Sequence, residues 1–259
     1  MIVAFIAIGV VAGIIGGLLG ISGGMITVPC LFYLFRLADY PQAYVMHMSI
    51  ATSLAAMILN TASAAWAHNK RGAVLWNVVK KMVPGLIIGS VIGALIATRL
   101  SGVFLEVVFG VFLLFTSYFF FRKKPPSHET HKLPQTSVFM SVNACVGAVA
   151  NILGIGGGTL TVPLLMAFRI NDKKAIGSSS VASFVVSCLG SISYLIFGWG
   201  DLPTPENLGL INLPAFAIIG VTTLFLAPVG VKLTHQLPSD VVRKIFGVIL
   251  VVTGLSLIF

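Results

Sequence analysis

The sequence predicts an all-α polytopic membrane protein made of two inverted-topology repeats. Three observations point there: a composition too apolar for water, runs of spanning length, and one glycine-rich motif that occurs twice. Of 259 residues, 57% are hydrophobic and 9% charged, whereas soluble domains carry about 25% charged residues. Ala43–Ala67 and Ile176–Phe197 contain no Asp, Glu, Lys or Arg, and each exceeds the roughly 20 apolar residues that a spanning helix needs. The alternating ten-residue segments of a membrane β-barrel are absent. The opening stretch MIVAFIAIGVVAG has neither the basic start nor the small-residue cleavage site of a signal peptide. It is therefore expected to remain as the first membrane segment. Cys30, Cys145 and Cys188 lie in apolar segments with no disulfide or metal spacing, and are read as small buried hydrophobes.

The motif GLLGISGGMITVP (Gly17–Pro29) returns 134 residues later as NILGIGGGTLTVP (Asn151–Pro163). Gly20, Ile21, Gly23, Gly24, Thr27, Val28 and Pro29 match Gly154, Ile155, Gly157, Gly158, Thr161, Val162 and Pro163. Weaker echoes pair Ser49 and Ser53 with Ser179 and Ser183, and Pro84 with Pro214. The chain thus divides into a first transmembrane repeat (1–121), a cytoplasmic linker (122–136) and a second, inverted repeat (137–259). Each repeat holds the glycine motif plus three spanning segments: 43–67, 82–98 and 103–121, then 176–197, 211–231 and 241–258. That makes 8–10 membrane segments, depending on whether the motif region crosses.

Charge decides how the motif is threaded. If each motif region crosses once, Lys and Arg divide evenly, 8 against 8, between the two sides. If the chain turns back at the glycines, the division is 14 against 2. One side then holds Lys70, Arg71, Lys80, Lys81, Arg122, Lys123, Lys124, Lys132, Arg169, Lys173, Lys174, Lys232, Arg243 and Lys244; the other holds Arg36 and Arg99. Positive charge concentrates in cytoplasmic loops, which selects the hairpin. Both termini and the acidic loop GWGDLPTPEN (198–207) then lie outside a bacterial inner membrane. The +9 net charge is a topology signal and calls for no nucleic acid.

The motif itself has the chemistry of an anion site. From Gly24 to Phe35 and from Gly158 to Phe168 the apolar run is near 18 Å long as helix, against a hydrocarbon core of about 30 Å. Each is expected to be a half-length helix returning from a break, with the two breaks brought together. Irregular backbone in a bilayer survives only where protein or a water-filled cavity satisfies it. A returning half-helix offers unpaired N–H groups and the positive end of its dipole. Ser22, Gly23, Gly24 and Thr27, with Gly156, Gly157, Gly158, Thr159 and Thr161, are the substrate-binding candidates; their hydroxyls are expected as donors. Pro29 and Pro163 are assigned to the helix breaks, each freeing a carbonyl four residues earlier. Inverted repeats with broken helices describe a secondary transporter.

Flanking helices supply pathway candidates: His47, Ser49, Thr52, Ser53, Asn143, Asn151, Ser179 and Ser183. Serines in membrane helices also bond back to their own backbone, and Asn143 and Asn151 suit either a path or a helix interface. Gly9, Gly13 and Gly17 share one face, as close helix packing requires. Glu106, at the start of its span, is the sole candidate carboxylate for coupling, and His47 is a second titrating candidate.

GGLLGISGGMITVP (Gly16–Pro29) and ANILGIGGGTLTVP (Ala150–Pro163) resemble the paired motifs of the TauE/SafE, or TSUP, family of sulfite exporters. The resemblance covers essentially the whole chain. It implies transport of sulfite, sulfoacetate or other organosulfonates, with the motif residues as the functional positions and Gly156 standing where the first copy has Ser22. No enzyme activity, cofactor or metal is implied; the partners are a small anion and the bilayer, and a homo-oligomer is compatible with the sequence. The main rival is a cation transporter or channel using the freed carbonyls. A remote one is a rhomboid-like protease with Ser22 of GISG as nucleophile, which lacks a suitably placed histidine. GIGGGT has no P-loop lysine.

Overall fold

The structure, a computed structural model, describes residues 1–19, 22–121, 133–200, 205–233 and 239–258. Gly20 and Ile21 of the first motif and most of the expected linker lie outside the described residues. Among the described residues, ten helices follow in two runs of five. The first run is α1 (Ile2–Leu19), α2 (Gly24–Leu37), α3 (Gln42–Lys70), α4 (Trp76–Ala97) and α5 (Gly102–Phe121). The second is α6 (Thr136–Leu153), α7 (Gly158–Ala167), α8 (Asp172–Phe197), α9 (Leu213–Leu233) and α10 (Ser239–Ile258). Among the described residues, six helices, α3 to α6 with α8 and α9, are long and apolar enough to cross a membrane. The 14 residues of α2 and 10 of α7 reach only about 21 and 15 Å.

Pairing between helices has a simple order. α4 packs on α6 as α1 does on α9, α3 on α9 as α8 on α4, and α2 on α3 as α7 on α8. α3 also packs on α8, and α5 on α10. Exchanging the two runs maps every one of these pairs onto another or onto itself. Glycines let the backbones close: a Cβ added at Gly85, Gly89 or Gly93 of α4 would stand 2.1, 1.9 or 2.3 Å from the carbonyl oxygens of Met140, Ala144 or Ala148 on α6. At Gly17 of α1 it would stand 2.2 Å from Ala227 O on α9. The glycine stripe of α1 is a packing seam, as small residues in lipid require where burial of apolar surface drives nothing. Large apolar side chains such as Val103, Phe115, Phe225 and Val252 face outward, where the solvent is hydrocarbon.

Four expectations need correction. α4 begins at Trp76 and α8 at Asp172, earlier than the apolar runs suggest, so Lys80, Lys81, Lys173 and Lys174 are helical. A charge ends an apolar run without ending backbone hydrogen bonding, and long cationic side chains can reach past the helix end to water. Pro29 and Pro163 sit inside α2 and α7; the breaks precede them, and each helix continues through its proline. The cysteines are not core: Cys145 is exposed and Cys30 and Cys188 partly so, because the outer face of a membrane helix is apolar too. Finally, the end of the acidic loop forms a two-stranded ribbon, β1 (Asn207–Leu208) and β2 (Ile211–Asn212).

Asn212 fastens that ribbon. Its N–H donates to Thr52 Oγ1 (3.0 Å) on α3, and its Nδ2 donates to Asn207 Oδ1 (2.9 Å) and to Tyr40 Oη (3.2 Å). Tyr40 donates in turn to Glu206 Oε2 (3.4 Å). At the opposite end of α3 the α3–α4 connection is fastened similarly: Leu75 N–H donates to Ser178 Oγ (2.9 Å) on α8. Burial first, then the charge of Glu206, hold the Tyr40 phenol above its ordinary range. A raised folded value means that the Tyr40–Glu206 bond is complete below about pH 10 and is lost as pH rises through the raised value. The bond from Asn212 Nδ2, by contrast, favours the phenolate. Glu206→Gln, which removes the neighbouring charge, is expected to bring Tyr40 phenolate absorbance in at lower pH. An unmoved Tyr40 transition would disprove the tie.

Candidate functional site

The site is built from two backbone reversals. After α1 the chain doubles back: Gly23, with φ +83°, lies beside Ala12, where an added Cβ would be 3.0 Å from Ala12 O. Ala12 is about 10 Å up α1 from its end. The second reversal needs left-handed backbone at Gly154, Gly156 and Gly157 (φ +68°, +66° and +78°), a region that L side chains avoid. Glycine thus supplies left-handed backbone at Gly23 in the first copy and at three positions in the second.

The two breaks touch. Ser22 Oγ donates to Ile155 O, and Gly24 lies so close that a Cβ there would be 2.7 Å from Gly154 O. α3 holds both breaks at once: Ser53 Oγ donates to Gly154 O (3.2 Å) and Asn60 Nδ2 to Ser22 O (2.9 Å). α2 and α7 both start here from a glycine N-cap with no side-chain cap. Among the described residues, the first-turn amides of Met25 and Thr159 have no hydrogen-bond partner. Two positive dipole ends therefore converge on one spot.

Beside the breaks is a small cavity of about 10 Å³ lined by Ser22, Asn60, Thr61, Ser180 and Ser183, with Gly16 and Ala64. That is room for about one water. Asn60 Oδ1 and Ser183 Oγ, both buried, make no hydrogen bond.

With this geometry in place, the comparison with known proteins is direct: the model of the family "Sulfite exporter TauE/SafE" matches residues 5–257. The chain belongs to the TauE/SafE family. It is 32% identical over 253 residues to a probable membrane transporter protein of Haemophilus influenzae, covering 96% of this chain and 95% of that one. It is 26% identical to the probable membrane transporter YunE of Bacillus subtilis (99% and 97% covered) and 23% identical to one of Methanocaldococcus jannaschii (98% and 94%). No solved structure matches. This TauE/SafE chain is thus a multi-pass membrane protein of a transporter family.

Within it, the residues singled out from sequence have different surroundings. Ser22, Gly23, Gly24, Gly156, Gly157, Gly158 and Thr159 line or border the break contact. Thr27 and Thr161 are there too, yet their hydroxyls donate to Gly23 O (3.2 Å) and Gly157 O (3.0 Å). Each threonine braces the first turn of its own helix, so in this conformation its hydrogen is not available to a ligand. Of the flanking set, Ser53 and Ser183 reach the breaks. Ser49 and Ser179 bond back to Val45 O and Ile176 O, and Thr52 holds the ribbon. Asn143 and Asn151 are fully buried on α6; their amides donate to Phe139 O (2.7 Å) and to Ser90 O of α4 (3.0 Å). The first bond stays within α6 and the second crosses to α4, and both Oδ1 atoms are buried without a hydrogen-bond partner.

His47 stands apart. Its Nε2 lies 3.2 and 3.0 Å from Ala97 O and Leu100 O; carbonyls only accept, so Nε2 carries the proton. It caps the end of α4 and lines a separate cavity of about 430 Å³ that also contacts Arg36 and Glu106. The two titratable candidates for coupling therefore share one chamber, away from the breaks.

Asn60 and Thr61 were missed by the sequence reading. The signal existed: Asn60 is seven residues, two turns, beyond Ser53 in an otherwise apolar run, hence on the same face.

Proposed function

We propose that this TauE/SafE protein is a secondary transporter moving a small sulfur-containing anion, such as sulfite, sulfoacetate or a related organosulfonate, by alternating access. The observation that carries the reading is the meeting of two uncapped helix N-termini at the Ser22–Ile155 contact. Backbone N–H groups and two dipoles favour negative charge there, and the family's name supplies the sulfur oxyanion. The exchange symmetry of the helix pairs and the 14-to-2 division of cations support an inverted duplication of 1–121 and 137–259. The same division supports basic loops facing the cytoplasm of an inner membrane, with both termini outside.

The cavity of about 10 Å³ is too small for a sulfur oxyanion, so the site must widen to admit one on this reading. Opening would part the two halves on one side of the breaks and then on the other. Both α3–α8 ends carry a tie that would have to release, Thr52–Asn212 at one and Ser178–Leu75 at the other.

Thermal stability in detergent tests the ligand class, using sulfite, sulfate, thiosulfate, sulfoacetate, chloride and sodium. A ligand present at a hundred times its Kd adds about 2.7 kcal/mol to the bound state, a readily measured rise in Tm. Sulfite or an organosulfonate is expected to give that rise in the parent and little of it in Ser22→Ala, which loses the contact between the breaks. A rise with sodium alone would overturn the anion reading. It would favour a cation transporter, with Asn60 Oδ1 and backbone carbonyls as ligands.

A further inference from the structure

One face of α8 carries a set of hydroxyls that the break contact does not use. Ser183, Ser187 and Ser191 recur every four residues and so share a stripe. They are 1%, 0% and 5% exposed, and none of their Oγ atoms has a hydrogen-bond partner. Serine in a helix ordinarily donates to the carbonyl one turn back, as Ser49, Ser179 and Ser180 do here. The stripe therefore departs from the local rule three times in succession.

The duplicated helix makes the departure more specific. The offset that pairs Ser53 with Ser183 pairs Met57 with Ser187 and Thr61 with Ser191. On α3 that stripe is closed: Ser53 donates to Gly154 O, Thr61 to Met57 O (2.6 Å), and Met57 is a buried thioether against Gly24 and Gly156. On α8 all three positions are hydroxyls with a hydrogen to give. The stripe starts at the cavity that Ser183 lines with Asn60 and Ser22 and rises about 12 Å along the helix. It passes the level of the second break, where Val186 meets Gly157. It ends one turn short of Leu195, whose carbonyl an added Cβ at Gly209 of the ribbon would approach to 3.2 Å.

Resting on the anion reading above, we infer that Ser183, Ser187 and Ser191 form the translocation track for the partly dehydrated anion, between the cavity at the breaks and the underside of the 207–212 ribbon. Each hydroxyl replaces part of the lost hydration by donating to the anion. Serine suits the task because its single hydrogen binds weakly enough to hand the ion onward. No carboxylate is among the residues lining the cavity from which the stripe starts, so nothing there repels it.

The test separates this role from a structural one. Deleting an unpaired buried hydroxyl is neutral or stabilising for the fold, so Ser187→Ala and Ser191→Ala are expected to keep or raise Tm. In proteoliposomes each is expected to lower sulfite flux about tenfold or more, the loss of one hydrogen bond to a charged ligand. Unchanged flux in both variants would overturn the track.

A second readout does not depend on sulfite. In a background with Cys30, Cys145 and Cys188 replaced by alanine, Ser187→Cys and Ser191→Cys are treated with sulfonatoethyl and trimethylammonioethyl methanethiosulfonates. Both positions are expected to react faster with the anionic reagent, and neither reagent is expected to modify the outward-facing control Ile192→Cys. No reaction beyond that control overturns the track. Preferential anionic labelling in a parent protein that fails to move sulfite would instead overturn the substrate reading and uphold the track.

Discussion

Gly89→Ala is expected to destabilise the protein by about 1–3 kcal/mol, whereas Gly220→Ala should leave it within about 1 kcal/mol of the parent. Both glycines are buried mid-helix at a helix contact, and intrinsic propensity alone would make both changes stabilising by about 0.8–1 kcal/mol. What differs is the neighbour. A Cβ at Gly89 would stand 1.9 Å from Ala144 O, 2.7 Å from its carbonyl carbon and 2.9 Å from its Cα, all backbone of α6. The α4–α6 pair must separate to admit it, and Gly85 and Gly93 on the same stripe lose their contacts with it. At Gly220 the nearest atom is Leu59 Cδ1 at 2.9 Å, and the next lie at 3.6 Å or beyond. A leucine tip can turn aside. Unfolding in detergent measures both, and equal stabilities for the two variants would refute the close α4–α6 seam.

That seam also shows what the sequence made legible and what it did not. The glycine stripe of α1 was readable because three glycines four apart mark a face. Its partner α9 was not, since nothing in a one-dimensional pattern says which helix a small-residue face meets. The glycine breaks were readable for a related reason: left-handed backbone at Gly154, Gly156 and Gly157 leaves a compositional trace that ordinary helix packing does not. Hydroxyls were the least legible feature. Thr27, Ser22 and Ser183 look alike in sequence, yet one braces its own helix, one crosses to the other break, and one has no partner. A hydroxyl's use depends on which carbonyl is within reach, and that is set by tertiary packing. The same limit explains the ribbon: Asn207–Asn212 has no run long enough to read as strands, and its geometry comes from Asn212 meeting Thr52 and Tyr40.

Gly156→Ala is expected to be costly at the break contact. Two terms add. Gly156 has φ +66°, and holding an L residue in left-handed backbone costs about 1–2 kcal/mol. Independently, the new Cβ would stand 2.7 Å from Ser22 Oγ and 2.9 Å from Ser22 Cβ. Ser22 must then move off Ile155 O, leaving buried polar groups unpaired at about 1–3 kcal/mol. If the break contact is the transport site, sulfite flux in Gly156→Ala should fall by tenfold or more, since about 1.4 kcal/mol is a factor of ten. Adding Ser22→Gly separates the terms. It removes the steric conflict and the displaced hydroxyl together, but it cannot relieve the backbone. The double variant should therefore be more stable than Gly156→Ala alone, although Ser22→Gly by itself destabilises. Groups in direct contact give such non-additivity, about 0.5–3 kcal/mol, while groups far apart add within about 0.5 kcal/mol. Strict additivity would mean that residues 22 and 156 do not meet in the folded protein, and the two half-helices would then not share one site.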